Sequence, residues 1–156
     1  MSDPTLRVLV VEDGTEYTDT MNRFLASRGF TFARAGSGPE ALRAVADGAH
    51  DVVFLDMRFD RVPDTDLLGD LAQAIDRCNG DPVAGRDFLQ EHQGTYVLSA
   101  LREAGCTLPV LLSYDFSNET RRFARLAERH GPLDHCRDVA SPDEVASRLR
   151  RLGAAR

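Results

Sequence analysis

Two short runs constrain this chain more than anything else in it. Leu6 to Val11 reads Leu-Arg-Val-Leu-Val-Val and runs directly into Glu12-Asp13; Asp51 to Asp56 reads Asp-Val-Val-Phe-Leu-Asp and also ends in an acid. Apolar, β-branched runs of this length, without polar alternation, describe strands covered on both faces, and such strands belong to parallel sheets flanked by helices. The remaining segments supply the helices. Asp13 and Glu16 have capping-box spacing, after which Tyr17, Met21, Phe24 and Leu25 recur at helical spacing until Arg28-Gly29. Phe30 to Ala33 is a second short strand, and Ser37-Gly38-Pro39-Glu40 opens a helix carrying Ala41, Leu42 and Val45 as far as Gly48.

Downstream the alternation continues. Gly94 to Arg102 is predicted helical with Val97, Leu98 and Leu101 inward, and Leu108 to Tyr114 is a strand introduced by Pro109. Ser117 is read as the cap of the next helix, which carries Phe123, Ala124 and Ala127 before His130-Gly131. Leu133 to Cys136 is the fifth strand, and Ser141-Pro142-Asp143-Glu144 opens the last helix. Strands alternating with helices imply an α/β doubly wound parallel sheet with right-handed crossovers, formed by one domain over residues 1–156. Ligands of such sheets bind beyond the carboxyl ends of the strands, where Glu12, Asp13 and Asp56 fall.

Composition excludes several classes. No apolar run approaches the roughly 20 residues that cross a bilayer, and the start of the chain lacks the basic and apolar stretches of a secretory signal, so a cytoplasmic protein without membrane contact is expected. Cys78, Cys106 and Cys136 are odd in number and lack metal-ligand spacing, which favours free thiols. A net charge of −6 argues against nonspecific nucleic-acid binding, and the Arg148, Arg150, Arg151 cluster reads as an exposed helix face. All 19 basic residues are arginine.

Val8-Leu-Val-Val-Glu-Asp13, Asp51-Val-Val-Phe-Leu-Asp56, Gly94-Thr-Tyr-Val-Leu-Ser-Ala-Leu-Arg102 and Leu108-Pro-Val-Leu-Leu112 together resemble the response-regulator receiver domain over nearly the whole chain. The resemblance implies the receiver (flavodoxin-like) sheet order 2-1-3-4-5. It implies Asp56 as phosphoacceptor and a magnesium ion (Mg2+) held by Glu12, Asp13, Asp56 and the Arg58 backbone carbonyl. Clustered carboxylates repel one another, and a hard cation with oxygen ligands relieves that repulsion. The bland alternative is a capping Asp13, a solvated Glu12 and an Asp56 that merely ends a strand.

Several positions depart from the family. Where a threonine or serine closes the fourth strand, an ungapped reading places Tyr114, with Ser113 one residue earlier and on the opposite face of a regular strand. Asp138 stands at the position of the family's lysine, with Arg137 beside it, and His135 takes the place of the switching aromatic, where a packed strand histidine is the simpler reading. Asp56 and Gly94 are separated by 38 positions, so residues 59–92 read as a helical insertion between the third strand and the third helix of the family pattern. Within it Leu67, Leu68, Leu71, Ile75 and Cys78 share a helical face, Asn79-Gly80 is a stop, and Asp81-Pro82 starts a second helix bearing Phe88 and Leu89. Asp60, Arg61, Asp64 and Asp66 are either further metal ligands or a solvated loop.

The expected function is a stand-alone receiver-like signalling module acting through protein–protein contact with a histidine kinase or another signalling protein, with a homodimer as a candidate assembly. It is either a magnesium-dependent phosphoacceptor at Asp56 or a pseudo-receiver read without phosphorylation. A magnesium-dependent phosphatase is the weaker alternative, because Arg58 stands where a second aspartate would be wanted, and the chain is not expected to be an enzyme.

Overall fold

β1 (Leu6–Val11) and β3 (Val52–Asp56) are buried along almost their whole length, as an all-apolar run requires. A computed structural model describes residues 4–154; Met1 to Asp3, where the reading of the chain's start begins, lie outside the described residues. The other elements in chain order are α1 (Glu16–Leu25), a 3-10 turn (Ala26–Arg28), β2 (Phe30–Ala35), α2 (Gly38–Val45), a second 3-10 turn (Asp64–Asp66), α3 (Leu71–Arg77), α4 (Pro82–Glu91), α5 (Gln93–Glu103), β4 (Val110–Ser113), α6 (Thr120–His130), β5 (Leu133–Cys136) and α7 (Pro142–Ala154). All strand pairs are parallel and the sheet order is β2-β1-β3-β4-β5. This is the doubly wound sheet expected from the sequence.

Strand alternation divides the core in two. Leu9, Val11, Val53, Leu55, Val110 and Leu112 face Ala41 of α2 and Val97, Leu98 and Leu101 of α5. Val8, Val10, Phe54 and Leu111 face Met21 and Leu25 of α1 and Val145, Leu149 and Leu152 of α7. Each such buried aliphatic side chain contributes roughly 1.5–3 kcal/mol. Among the described residues no helix is long and apolar enough to cross a membrane.

Several boundaries differ from expectation, each for a local reason. β2 runs on to Ala35 because backbone pairing with β1 continues there, although three of its last four residues are not apolar and buried. β4 ends at Ser113, one residue short of Tyr114. The Asp13/Glu16 capping box does not form: Thr15 is the residue before α1 and gives no side-chain cap. Ser117 does not cap α6, since its N–H is turned to the Asp115 carboxylate and Glu119 precedes the helix. Ser37 and Ser141 do cap, accepting from the amides of Glu40 and Glu144. Two of the three arginines near the end are used internally, Arg148 pairing with Asp134 and Glu144 and Arg150 lying over the Phe30 ring at 4.5 Å, while Arg151 is exposed.

Residues 59–92 form a compact helical hairpin. Leu67 and Leu68 precede α3 rather than sharing its face, because Gly69 takes a left-handed conformation (φ 104°) and Asp70 caps the helix by accepting from the Gln73 amide. Asn79 and Gly80, both at positive φ, end α3, and Asp81 caps α4. α3 and α4 approach so closely that a Cβ on Gly85 would lie 2.8 Å from the Ile75 backbone. The apolar stripe packs largely on itself: Leu67, Ala74 and Leu89 form a small core with Phe88 and with Tyr96 of α5. Gln93 laces the base. It is fully buried, its Oε1 accepts from Leu68 N–H at 2.7 Å, and its Nε2 donates to the carbonyls of Leu68 and Leu89. Phe59 N–H donates to the Gln90 carbonyl and Gly94 N–H to the Met57 carbonyl, closing the segment against the end of β3.

Candidate functional site: an acidic cleft at the strand ends

Glu12 and Asp13 after β1, Asp56 at the end of β3 and Asp138 after β5 gather at one rim of the sheet, which Ser113 at the end of β4 shares. Glu12 follows β1 directly yet is only 1% exposed. Its Oε1 accepts from Tyr17 N–H at 3.1 Å, and its Oε2 from Thr18 N–H and the Thr18 hydroxyl, both at 2.7 Å. Glu12 therefore does what the sequence assigns to Asp13: it satisfies the open amides of the first turn of α1 and places a negative charge at the positive end of that helix. Asp13 is drawn elsewhere. Its Oδ2 accepts from the amides of Asp60 and Arg61 at 2.8 and 2.9 Å, tying the β1 end to the segment after β3.

Asp56 closes β3 and is half-buried, its Oδ1 accepting from Met57 N–H at 2.9 Å. Burial pushes its carboxyl up to about 7, the charges of Asp13 and Glu12 add to the rise, and the backbone hydrogen bonds from Met57 and Arg58 oppose it. Two clefts open beside it. One, of about 450 Å³, is lined by the acids Glu12, Asp13, Glu16, Asp56 and Asp138, the cations Arg61 and Arg137, and a floor that includes Tyr17, Met21 and Phe54. The other, of about 430 Å³, is lined by Asp56, Arg58, Glu91, His92, Ser113, Tyr114 and Asp138 among others. Asp56 and Asp138 are common to both.

Sheet register clarifies the β4 end. Ser113 pairs with Asp56 across the ladder, so the serine, and not Tyr114, is level with the aspartate and shares its face. The Ser113 hydroxyl donates to Tyr17 Oη at 3.0 Å, and the Tyr17 hydroxyl donates to the Asp138 carbonyl at 3.4 Å. Tyr17 rests on Phe54 with ring centroids 5.0 Å apart. Burial lifts its phenol to about 12, with Asp56 and Asp138 adding to the rise. The sequence reading places Tyr17 only on the apolar stripe of the helix; the available signal is its position in the first turn, which faces the strand ends.

The other candidate positions are not gathered there in the same way. From Arg58, the backbone N–H reaches the Asp56 carboxylate, while its exposed guanidinium pairs with Asp60 at 3.3 Å. His135 lines neither cleft; it packs edge-on against Phe123 and Phe116 at 4.5 and 5.3 Å, the packed strand histidine. Tyr114 stands edge-on to Phe116 and its hydroxyl donates to Glu119. Arg61 pairs with Glu16 at 2.7 Å at the mouth of the first cleft.

Part of the donor set expected for a magnesium ion is already engaged in this arrangement, while among the described residues one oxygen of Asp13 accepts no hydrogen bond and the Asp56 carboxylate accepts only from the neighbouring backbone amides. Glu12 uses both oxygens on α1, Asp13 gives one to two amides, and among the described residues no group of three His, Cys, Asp or Glu side chains is placed to hold a metal. A hard divalent ion needs open oxygens converging on one point.

No protein-family model and no curated protein matches the chain, but solved structures do. It is similar to the receiver domain of the Francisella response regulator 1452, with a TM-score of 0.67 and 17% identity over 97% of this chain and 98% of that one. It is similar to the receiver domain of NtrX from Brucella abortus, with a TM-score of 0.64 and 21% identity over 96% and 99%. A third similar structure is the receiver domain of the sensor histidine kinase PA1611 from Pseudomonas aeruginosa, which has a magnesium ion coordinated in its active site cleft; the TM-score is 0.63 and the identity 16% over 96% and 98%. With its five parallel strands in the order 2-1-3-4-5 and acids at the strand ends, this chain has the fold of the response-regulator receiver domains.

Proposed function

We propose that this chain is a receiver-like signalling module that works in the cytoplasm by binding another signalling protein, and that its Asp56 is read without forming a stable phospho-aspartate. The observation that carries this is Asp138. It shares both clefts with Asp56 where the family pattern implies an ammonium, in a chain that contains no lysine at all. A phosphoryl group brings about −1.5 to −2 charges. One unit pair about 4 Å apart interacts by roughly 4 kcal/mol at an effective dielectric of 20, so exchanging a cation for an acid turns a term of that size from attraction to repulsion. Glu12 and Asp13 already supply repulsion at the same rim. Free, widely separated thiols suit a reducing compartment. Residues 59–92 are read as an insertion within one receiver-like domain covering 1–156, and its base at Phe59 and Gly94 abuts the end of β3.

A second reading, a histidine-kinase substrate phosphorylated on Asp56, is favoured by one feature: Ser113 stands level with Asp56, where its hydroxyl could meet a phosphoryl oxygen after release from Tyr17. The test is exposure of the protein to a small phosphodonor with magnesium, followed by intact mass measurement in mild acid, beside Asp56→Ala and a magnesium-free control. No adduct on either protein is expected. A single adduct that requires both Asp56 and magnesium would replace the first reading with the second.

A further inference from the structure

The charge of this chain is distributed very unevenly. Residues 59–92 hold eight acids against three arginines, a net of −5 out of the chain's −6, whereas α6 carries Arg121, Arg122, Arg125 and Arg129 against Glu128. On α6, Arg121, Arg125 and Arg129 recur every fourth residue, are exposed, and have no ion-pair partner among the described residues. Like charges at this spacing repel one another along a helix, so the row is held at a cost that an external anion would remove. It borders a groove of about 690 Å³ lined by Arg122, Arg125, Leu126, Glu128, Arg129 and His130. Arg121, Ala124, Arg125, Glu128 and Arg129 are exposed along the outer side of α6, while Phe123 and Leu126 turn toward the core.

The matching surface is on α4. Val83, Asp87 and Glu91 lie four residues apart on one row; all three are exposed, Val83 at 61%, and neither acid has an ion-pair partner among the described residues. Two helical rows with the same repeat of about 6 Å bring each acid opposite an arginine and set the apolar Val83 one turn away, level with the Arg121 stem. We propose that the α6 groove of one copy receives the α4 ridge of a second copy of this chain, Asp87 and Glu91 facing Arg125 and Arg129. Used twice about a two-fold axis the contact closes a dimer; used once per copy it propagates head to tail. It does not use Asp56, although Glu91 also borders the second cleft beside that residue, and it holds whichever way Asp56 chemistry is decided.

Sedimentation velocity of the full chain over a concentration series tests this, at low salt and at about 0.5 M salt, where screening acts within a few ångströms. Association at low salt that weakens at least about tenfold at high salt is expected. Arg125→Glu with Arg129→Glu, and separately Asp87→Arg with Glu91→Arg, should each sediment as monomers. Mixing the two double variants should restore a one-to-one complex, because the ridge of the first still fits the groove of the second. Circular dichroism of each variant confirms that it is folded. A wild-type chain that stays monomeric at low salt overturns the proposal, as does association that survives both reversals or a mixture that fails to combine. A monomeric wild type that shifts duplex DNA through Arg125 and Arg129 would assign the groove to nucleic acid instead.

Discussion

Asp56→Asn should make this protein more stable at neutral pH, and the gain should vanish in acid. The Asp56 carboxyl is raised from 3.8 to about 7 in the folded state, chiefly by burial. A raised carboxyl means that the native chain binds a proton the unfolded chain has already lost between those two values, so stability falls as pH rises through that window and stays low above about 7. Asparagine resembles the protonated acid and escapes this loss. A shift of about 3 units corresponds to a ceiling of roughly 4 kcal/mol; the side chain is only half-buried and cleft water screens part of it, so about 2 kcal/mol is expected. Urea unfolding of wild type and variant at half-unit intervals from pH 4 to 8 isolates the difference, since groups away from the cleft titrate alike in both. The gap should be near zero at pH 4 and open between about 4 and 7. A gap that is constant across the range, or a carboxyl that titrates near 4 in a carbon-detected NMR series, would refute the assignment of Asp56 to a desolvated, acid-crowded site.

Three further outcomes follow from particular contacts. Glu12→Gln keeps the size of the side chain but presents an NH₂ group to donors that need an acceptor, so it should cost about 2–3 kcal/mol in chemical unfolding and weaken amide-exchange protection at Tyr17 and Thr18. Gln93→Leu strands the Leu68 amide and carbonyl at the base of the hairpin and should cost about 2–3 kcal/mol, with limited proteolysis moving into residues 59–92. Gly85→Ala forces a Cβ to within 2.8 Å of the Ile75 backbone and should cost about 1–3 kcal/mol, whereas Gly80→Ala, with open space around it, should show only the penalty of its positive φ; equal losses at the two sites would contradict the close crossing of α3 and α4.

The fold was legible because its central strands are unambiguous: a run such as Val52 to Leu55 has no polar face to present to water, and two such runs leave few sheets to build. The edge strand β2 was legible at its start but not at its end, because Ala33 and Arg34 are exposed and carry no apolar pattern on toward Ala35. Capping failed where tertiary demands compete. Asp13 has the right spacing to cap α1, but the amides of Asp60 and Arg61, 47 and 48 residues away, claim its oxygen, and Glu12 takes the helix instead. Nothing local to either residue signals that exchange. Ser113 was set one place out of register because strand length was counted from Pro109, while pairing with β3 puts the serine beside Asp56. Gln93 was passed over altogether, since a buried glutamine is recognised only from the backbone groups it meets.

The exchange between Glu12 and Asp13 also decides how the site communicates with the rest of the molecule. An acid that binds the loop after β3 is a mechanical link: Asp13 holds the first residues of the hairpin segment, and Phe59, fully buried next to them, ties that segment to the end of α4 through Gln90. Asp56 sits between these attachments, on the strand end that Gly94 meets at its Met57 carbonyl. A change of charge at Asp56 alters the repulsion on Asp13 and hence the strength of its hold on Asp60 and Arg61. On the aromatic side His135 and Tyr114 are packed about Phe116, while the Tyr17 hydroxyl occupies Ser113. The contacts that leave the acidic cleft through Asp13 and Met57 therefore run into the helical hairpin. Asp13→Asn tests this: it should loosen amide protection at Asp60 and Arg61 while leaving that at Tyr17 and Thr18 intact, and loosening at the first turn of α1 instead would place Asp13 back in the capping role that its spacing suggests.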